Sequence, residues 1–188
     1  MLRRLIVNAD DFGLTRGVSA GILGAARHGI VTSTTLLVTA RLPDEELAAL
    51  HDSGLGVGVH VNLTLGRALT GRSSLTDADG SFVRDARVAA ARATARARAR
   101  SAGLRTPDHF FGESGPDAYW SPARTLIRLR ALPVGVSEFM THPGLLDPAL
   151  AYSRYGRQRE TELAGVGTPA ARAAVAALGI TLCHFGDL

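Results

Sequence analysis

Three short stretches of the sequence carry side chains that could do chemistry together. Asp10 and Asp11 follow the apolar run Leu5–Ala9 and precede Phe12-Gly13, and His60 and Asn62 lie near the end of the alternating run GVGVHVNL. His142 follows VGVSEFMT and opens His142-Pro143-Gly144. Two adjacent carboxylates repel each other unless a cation or a shared proton relieves them, and a divalent metal is a natural relief. An imidazole buried in a strand of Val and Gly without a partner costs about 1–3 kcal/mol, so His60 implies a partner. Each residue also has a plainer reading: a solvated turn for Asp10-Asp11, a satisfied core histidine for His60, a turn residue for His142. Taken together, two carboxylates and two imidazoles supply the ligands, base and acid of a metal-dependent hydrolase.

The elements that must position these groups follow from the apolar pattern. Leu5–Ala9 reads as a buried strand, Gly17–His28 as a helix stopped by Gly29, and the β-branched run Thr32–Thr39 as a second strand. Pro43-Asp44-Glu45-Glu46 opens a helix, with proline and acidic residues where free N–H groups favour them. Gly56–Leu63 is a third strand, so the N-terminal third has the β-α-β-α-β rhythm of a parallel sheet. After a Gly-, Ser- and Thr-rich stretch to Gly80, Asp85–Ala102 is an Ala/Arg helix. Thr106–Phe111, Val134–Thr141 and Ile180–Phe185 are further strands, and Pro122–Ala131, Arg157–Leu163 and Pro169–Leu178 are helices. With neither a repeat nor a linker in view, residues 1–188 are expected to form one α/β domain. In such sheets the groups at the carboxyl ends of the strands converge on the site, which is where Asp10, Asp11, His60 and His142 fall.

The chain has 188 residues, 46% hydrophobic and 20% charged, with a net charge of +4. That is enough chain to bury a core without disulfides, and Cys183 is the only cysteine. There is no run of about 20 apolar residues to cross a membrane. MLRRLIVNADDFG lacks the pattern of a signal peptide, so a cytoplasmic location is expected. All of the basic side chains are arginine. Arg92, Arg96 and Arg100, at i, i+4 spacing with Arg84, Arg87 and Arg98 nearby, form a basic stripe that a nucleic-acid-binding module could use. No aromatic or Gly-rich interleaving accompanies it, which favours a solvated amphipathic helix. His28 and His51 sit near helix ends, where a cation is welcome, and His184 and Cys183 read as core.

The segments LIVNADDFGLTRGVSAGI, GIVTSTTLLV, GVGVHVNLT, TPDHFFGESG, LPVGVSEFMTHPG, YGRQRETEL and GITLCHF, in that order, resemble the YdjC-like family of carbohydrate deacetylases. That family includes deacetylases of chito-oligosaccharides and of hopanoid biosynthesis. The resemblance implies a (β/α) barrel with a divalent metal, magnesium or zinc, at its C-terminal mouth. It further implies that Asp11 and His60 bind the metal, Asp10 acts as general base and His142 as general acid. The implied reaction removes the N-acetyl group of an amino sugar or sugar-bearing lipid, a step in carbohydrate metabolism. Asn62, Phe110 and Trp120 are candidates for contacting substrate, the aromatic rings, with Tyr119 and Phe111, as a wall for a sugar ring. Arg159 and Glu160 fall in a matching segment, where their charges could simply pair.

The sequence departs from the family at one place. Relatives carry a block resembling D-x-H-x-H-x-H that supplies another histidine ligand, whereas about 40 residues separate Thr64 from Thr106 here and include no such block. Either His109 supplies the third ligand, or a partner chain completes the site, or the metal binds weakly, or the chain is a non-catalytic relative that binds sugar or forms an oligomer. With six or seven strand candidates, the fold expected is an incomplete or distorted TIM-type barrel rather than a closed eight-stranded one. Its open edge is the kind a second copy covers.

Overall fold

The apolar run near the N-terminus becomes the middle of the sheet. In the computed structural model, which describes residues 2–62, 76–79, 97–112, 119–151, 153 and 155–188, the strands are β1 (Arg3–Phe12), β2 (Ser33–Leu37), β3 (Gly56–His60), β4 (His109–Phe111), β5 (Gly135–Thr141) and β6 (Thr181–Leu182). The helices are α1 (Arg16–His28), α2 (Asp44–His51), α3 (Pro122–Arg130), α4 (Gly156–Val166) and α5 (Pro169–Ala177). Leu5, Ile6, Val7 and Ala9 are completely buried, as expected of a strand covered on both faces. The sheet runs β3-β2-β1-β5-β4, with β6 also paired to β1, and every pairing is parallel. The parallel α/β sheet expected of an incomplete barrel is therefore present, with six strands among the described residues and β3 and β4 at the two ends of that order.

Alternation along β1 divides its side chains between two environments. Leu5, Val7 and Ala9 join a cluster with Val18, Ile22 and Ala25 of α1, Leu129 of α3, Val166 of α4 and Val175 of α5. Ile6, Asn8 and Asp10, two residues apart, face the other way. Three helices begin on side-chain caps: Thr15 Oγ1 accepts from the Val18 amide at 3.2 Å, Ser121 Oγ from Arg124 at 3.4 Å, and Thr168 Oγ1 from Ala171 at 3.3 Å. α3 and α5 also open with proline, whose missing N–H is not needed there.

Two elements differ from the sequence expectation. β6 stops after two residues, because His184 caps a 3-10 turn over Phe185–Asp187. β3 ends at His60, and residues 63–75, over which it was expected to finish and give way to a loop, lie outside the described residues. The described chain divides into two compact units, Met1–His60 with Pro107–Leu188, and Val61–Thr106. In the second, residues 97–101 are helical, and Arg100 Nε donates to Thr106 Oγ1 at 2.7 Å. The earlier part of the expected Arg-rich helix, with Arg84, Arg87, Arg92 and Arg96, lies outside the described residues. Among those described, no helix is long and apolar enough to cross a membrane.

Two glycines let α1 approach the turn that carries His142. A Cβ on Gly21 would stand 2.6 Å from Gly144 Cα and 2.8 Å from the Leu145 nitrogen, both backbone atoms. The approach is fixed by the Leu145 amide, which donates to the Gly17 carbonyl at 3.0 Å. Gly21→Ala should lower unfolding free energy by about 1–3 kcal/mol through overpacking, despite alanine's helix preference of about 1 kcal/mol. Urea denaturation measures this; an equal or higher midpoint would contradict the close contact.

Candidate active site

The site begins where β1 stops being regular. The register of β1 on β2 shifts between Ala9 and Phe12, and Asp11 has φ +74°, a left-handed conformation that Asp and Asn adopt more readily than most residues. Successive side chains of a regular strand point to opposite faces, and a bulge re-aims one of them. As a result both carboxylates reach one imidazole. Asp10 Oδ1 lies 3.8 Å from His60 Nδ1, and Asp11 Oδ1 lies 3.3 Å from His60 Nε2.

Hydrogen bonds fix the roles of these atoms. Thr35 Oγ1 is 2.7 Å from Asp10 Oδ1 and 2.7 Å from His60 Nδ1. A carboxylate can only accept, so the single hydroxyl hydrogen goes to Asp10, and His60 Nδ1–H donates to the hydroxyl oxygen. Nε2 is thereby left facing Asp11. Asn8 Nδ2 donates a second hydrogen bond to Asp10 Oδ1 at 2.7 Å. Burial alone would raise the Asp10 carboxyl, but His60 and Thr35, helped by the His142 charge, hold it below the ordinary carboxylate value. The interaction with Asp10 raises His60 against the opposing effect of burial, and Asp11 adds to the rise.

Helix α4 secures the other side of the site. Arg159 Nη2 donates to Asp11 Oδ2 at 2.6 Å, and the guanidinium is almost fully buried. The charge repulsion between the two aspartates is thus partly relieved by a protein cation, where the sequence reading looked to a metal. One turn later, Glu162 accepts from the His142 amide at 2.6 Å and from the Tyr119 amide at 3.1 Å. His142 Nδ1 is 3.9 Å from the same Glu162 oxygen, so the strand-end histidine is anchored by its backbone and faces a carboxylate. Thr141 pairs in register with Ala9, so His142 follows at the level of Asp10.

The Asp11–His60 pair suits a divalent cation in its donor chemistry. Donors on one cation at about 2.1 Å each lie roughly 3 Å apart, close to the 3.3 Å between Asp11 Oδ1 and His60 Nε2. Fixing the remote ring nitrogen by a hydrogen bond, as Thr35 does, is what a ligating histidine requires. Among the described residues no group of three or more His, Cys, Asp or Glu is arranged to hold a metal. A two-donor set fits a hard cation that keeps several waters better than a three-ligand zinc site.

Of the remaining expected residues, those of the first compact unit lie apart from these. His109 pairs in register with Ser137, itself level with Leu5, so it sits at the amino end of the sheet. Its Nε2 is 3.2 Å from the Val134 carbonyl oxygen, and the structure does not bring it to Asp11 and His60. Trp120 is fully buried, stacked on Phe139 with centroids 4.1 Å apart and donating Nε1–H to the Met140 carbonyl. It is a core residue, not a wall for a sugar ring. Phe110 is 53% exposed but level with Glu138 and Ile6, well below Asp10. Asn62 belongs to the second compact unit. Glu160 is exposed and Arg159 pairs with Asp11 instead. Asn8, Thr35 and Glu162 escaped the sequence reading. Asn8 had a signal, being a polar residue inside an apolar strand, two positions before Asp10 and hence on its face.

The YdjC-like protein family profile matches residues 4–98 and 85–177. The chain belongs to this family. Over 84 residues it is 45% identical to carbohydrate deacetylase 2 of Listeria innocua serovar 6a, a match covering 43% of this chain and 33% of that protein. The chain thus spans about a third of the length of that curated relative. Its fold is similar to the crystal structure of a candidate cellobiose-phosphate cleavage protein from Enterococcus faecalis V583, with a TM-score of 0.83 and 24% identity, covering 100% of this chain and 99% of that one. The YdjC-like sheet is thereby matched along its whole length.

Arg159→Met leaves Asp11 without its cation and should cost about 3 kcal/mol, the scale for breaking a buried pair. The same change in an Asp11→Asn background should cost clearly less. Urea denaturation of the four proteins gives the coupling; equal costs in both backgrounds would show that the contact carries no such energy.

Proposed function

We propose that this YdjC-like protein is a metal-dependent deacetylase that hydrolyses the N-acetyl group of an amino sugar or a sugar-bearing lipid. The observation that carries the reading is His60 held between Asp10 and Asp11, with His142 at the adjoining strand end. Support for a carbohydrate substrate comes from the YdjC-like family and from the Listeria relative that bears the name carbohydrate deacetylase.

Asp11 Oδ1 and His60 Nε2 would hold the divalent cation, magnesium or zinc. When bound, the cation supplies Lewis acidity for the amide carbonyl and for water. Asp10 is the base that takes a proton from the attacking water, and His142 is the acid that protonates the departing nitrogen, releasing acetate and a free amine. Thr35 keeps His60 in the tautomer that leaves Nε2 free for the cation. Arg159 keeps Asp11 turned so that Oδ1 is available. Glu162 holds the His142 backbone in place.

Acetate release from N-acetyl amino sugars and their oligomers, with Mg²⁺, Mn²⁺, Co²⁺ or Zn²⁺ added, tests the reading. Asp10→Asn and His142→Ala should each lower kcat by about 10²–10⁴-fold, with melting temperatures close to wild type. No release from any such substrate by the wild type would contradict the enzyme reading. Sugar binding without release would favour the non-catalytic relative instead, which the two-donor set also allows.

A further inference from the structure

The buried guanidinium of Arg159 sits on the carboxylate that the proposed cation would use. Arg159 Nη2 donates to Asp11 Oδ2 at 2.6 Å, and Asp11 Oδ1 lies 3.3 Å from His60 Nε2. The two oxygens of one carboxylate therefore face different partners, a protein cation at one and a second donor atom at the other. Several contacts keep Arg159 in that position. Its carbonyl accepts from the Gly144 amide at 3.2 Å. Its stem runs so close to Gly144 that a Cβ there would stand 3.3 Å from Arg159 Cδ and 3.4 Å from Arg159 Cβ. Nε and Nη1 are buried without a hydrogen-bond partner among the described residues, so no second acceptor there draws the guanidinium away from Asp11. Buried N–H groups left unpaired cost stability, and a neutral side chain of similar volume would avoid that cost. What the charge does at the site follows from where a cation can approach.

We propose that Arg159 is a specificity-determining residue for the divalent cation: it leaves Asp11 one oxygen to give, and so selects an ion that keeps most of its water, Mg²⁺ or Mn²⁺, over Ca²⁺. The selection rests on the metal-dependent deacetylase reading for the presence of a cation. An ion shared by both Asp11 oxygens would come up against the guanidinium, which is within hydrogen-bond distance of Oδ2, and repulsion between buried charges is little screened. An ion taken by Oδ1 and His60 Nε2 avoids that encounter. Ca²⁺ gathers about six to eight oxygens, often with a carboxylate giving both of its own, whereas Mg²⁺ keeps several waters and makes do with one or two carboxylates. Mn²⁺ also takes carboxylate and water ligands. Arg159 further offsets one of the two carboxylate charges beside the cation, and the number of charged ligands sets how tightly Ca²⁺ is held. Both effects fall hardest on the ion that needs the most oxygen.

Isothermal titration of Mn²⁺ and of Ca²⁺ into the metal-stripped proteins reads the selection without recourse to activity. Arg159→Met and Arg159→Gln remove the charge, Arg159→Lys keeps it, and circular dichroism checks that each is folded. Either neutral variant should bind Ca²⁺ about tenfold or more tighter than wild type and Mn²⁺ by a smaller factor, so that the preference for Mn²⁺ falls. Arg159→Lys should keep that preference within about twofold of wild type. A preference unchanged in the folded neutral variants overturns the proposal, and so does one that falls as far in Arg159→Lys. The wild type gives a test that needs no variant. In its crystals soaked in Mn²⁺, Asp11 Oδ2 should stay on Arg159 and beyond about 3 Å from the ion, and an ion within about 2.6 Å of both Asp11 oxygens overturns the proposal. No cation binding by the wild type overturns it too, whether or not acetate is released. The expected binding pattern with no acetate release from any N-acetyl sugar fails the deacetylase reading alone.

Discussion

The bulge at Asp10 and Asp11 is what lets one strand present two adjacent carboxylates to one imidazole. In a regular strand one of them would point into the helix-side core, where Leu5, Val7 and Ala9 pack. The shifted register and the left-handed Asp11 bring both to the same side, and the repulsion this creates has to be answered locally. Asn8 and Thr35 answer it at Asp10 with two hydrogen bonds, and Arg159 answers it at Asp11 with a buried charge. A residue conformation of limited stability is thus over-determined by its neighbours, the pattern found where strain serves a site.

The surrounding architecture serves the same end. A parallel sheet puts all strand carboxyl ends on one edge, so β1, β3 and β5 deliver Asp10, Asp11, His60 and His142 to one rim without long loops. Helix α4 then works on two of them at once, since Arg159 and Glu162 are one turn apart and share a face. Arg159 holds an aspartate of β1, and Glu162 holds the chain just beyond β5. The close approach of α1 to Gly144 fixes that same turn from the other side.

Much of this was legible in the sequence, for definite reasons. The LIVNA run specifies a doubly buried strand by composition alone, and Thr15, Ser121 and Thr168 announce helix starts by their capping chemistry. Asp10, Asp11, His60 and His142 could be singled out because each is a polar residue at the end of an apolar strand. Arg159 could not be assigned, because its partner lies 148 positions away, and side-chain spacing says nothing about such pairs. His109 and Trp120 show the opposite difficulty. Both lie near the site in the family-like order of motifs, but His109 is at the wrong end of a three-residue strand and Trp120 fills the core against Phe139. Level along a strand and depth in a core are set by tertiary packing.

The shortness of the chain relative to its curated relative bears on the cation rather than on the acid and base. Asp10 and His142 each have their supporting contacts within residues 1–60 and 107–188, so the proposed base and acid are held within that unit. The proposed cation, by contrast, would have two protein donors among the described residues. The most direct measurement is therefore a crystal structure of the protein soaked in Mn²⁺, with the ion located by its anomalous scattering. The account predicts one peak within about 2.0–2.4 Å of both Asp11 Oδ1 and His60 Nε2, lost in crystals of Asp11→Asn. A peak elsewhere, or none at millimolar Mn²⁺, would contradict it.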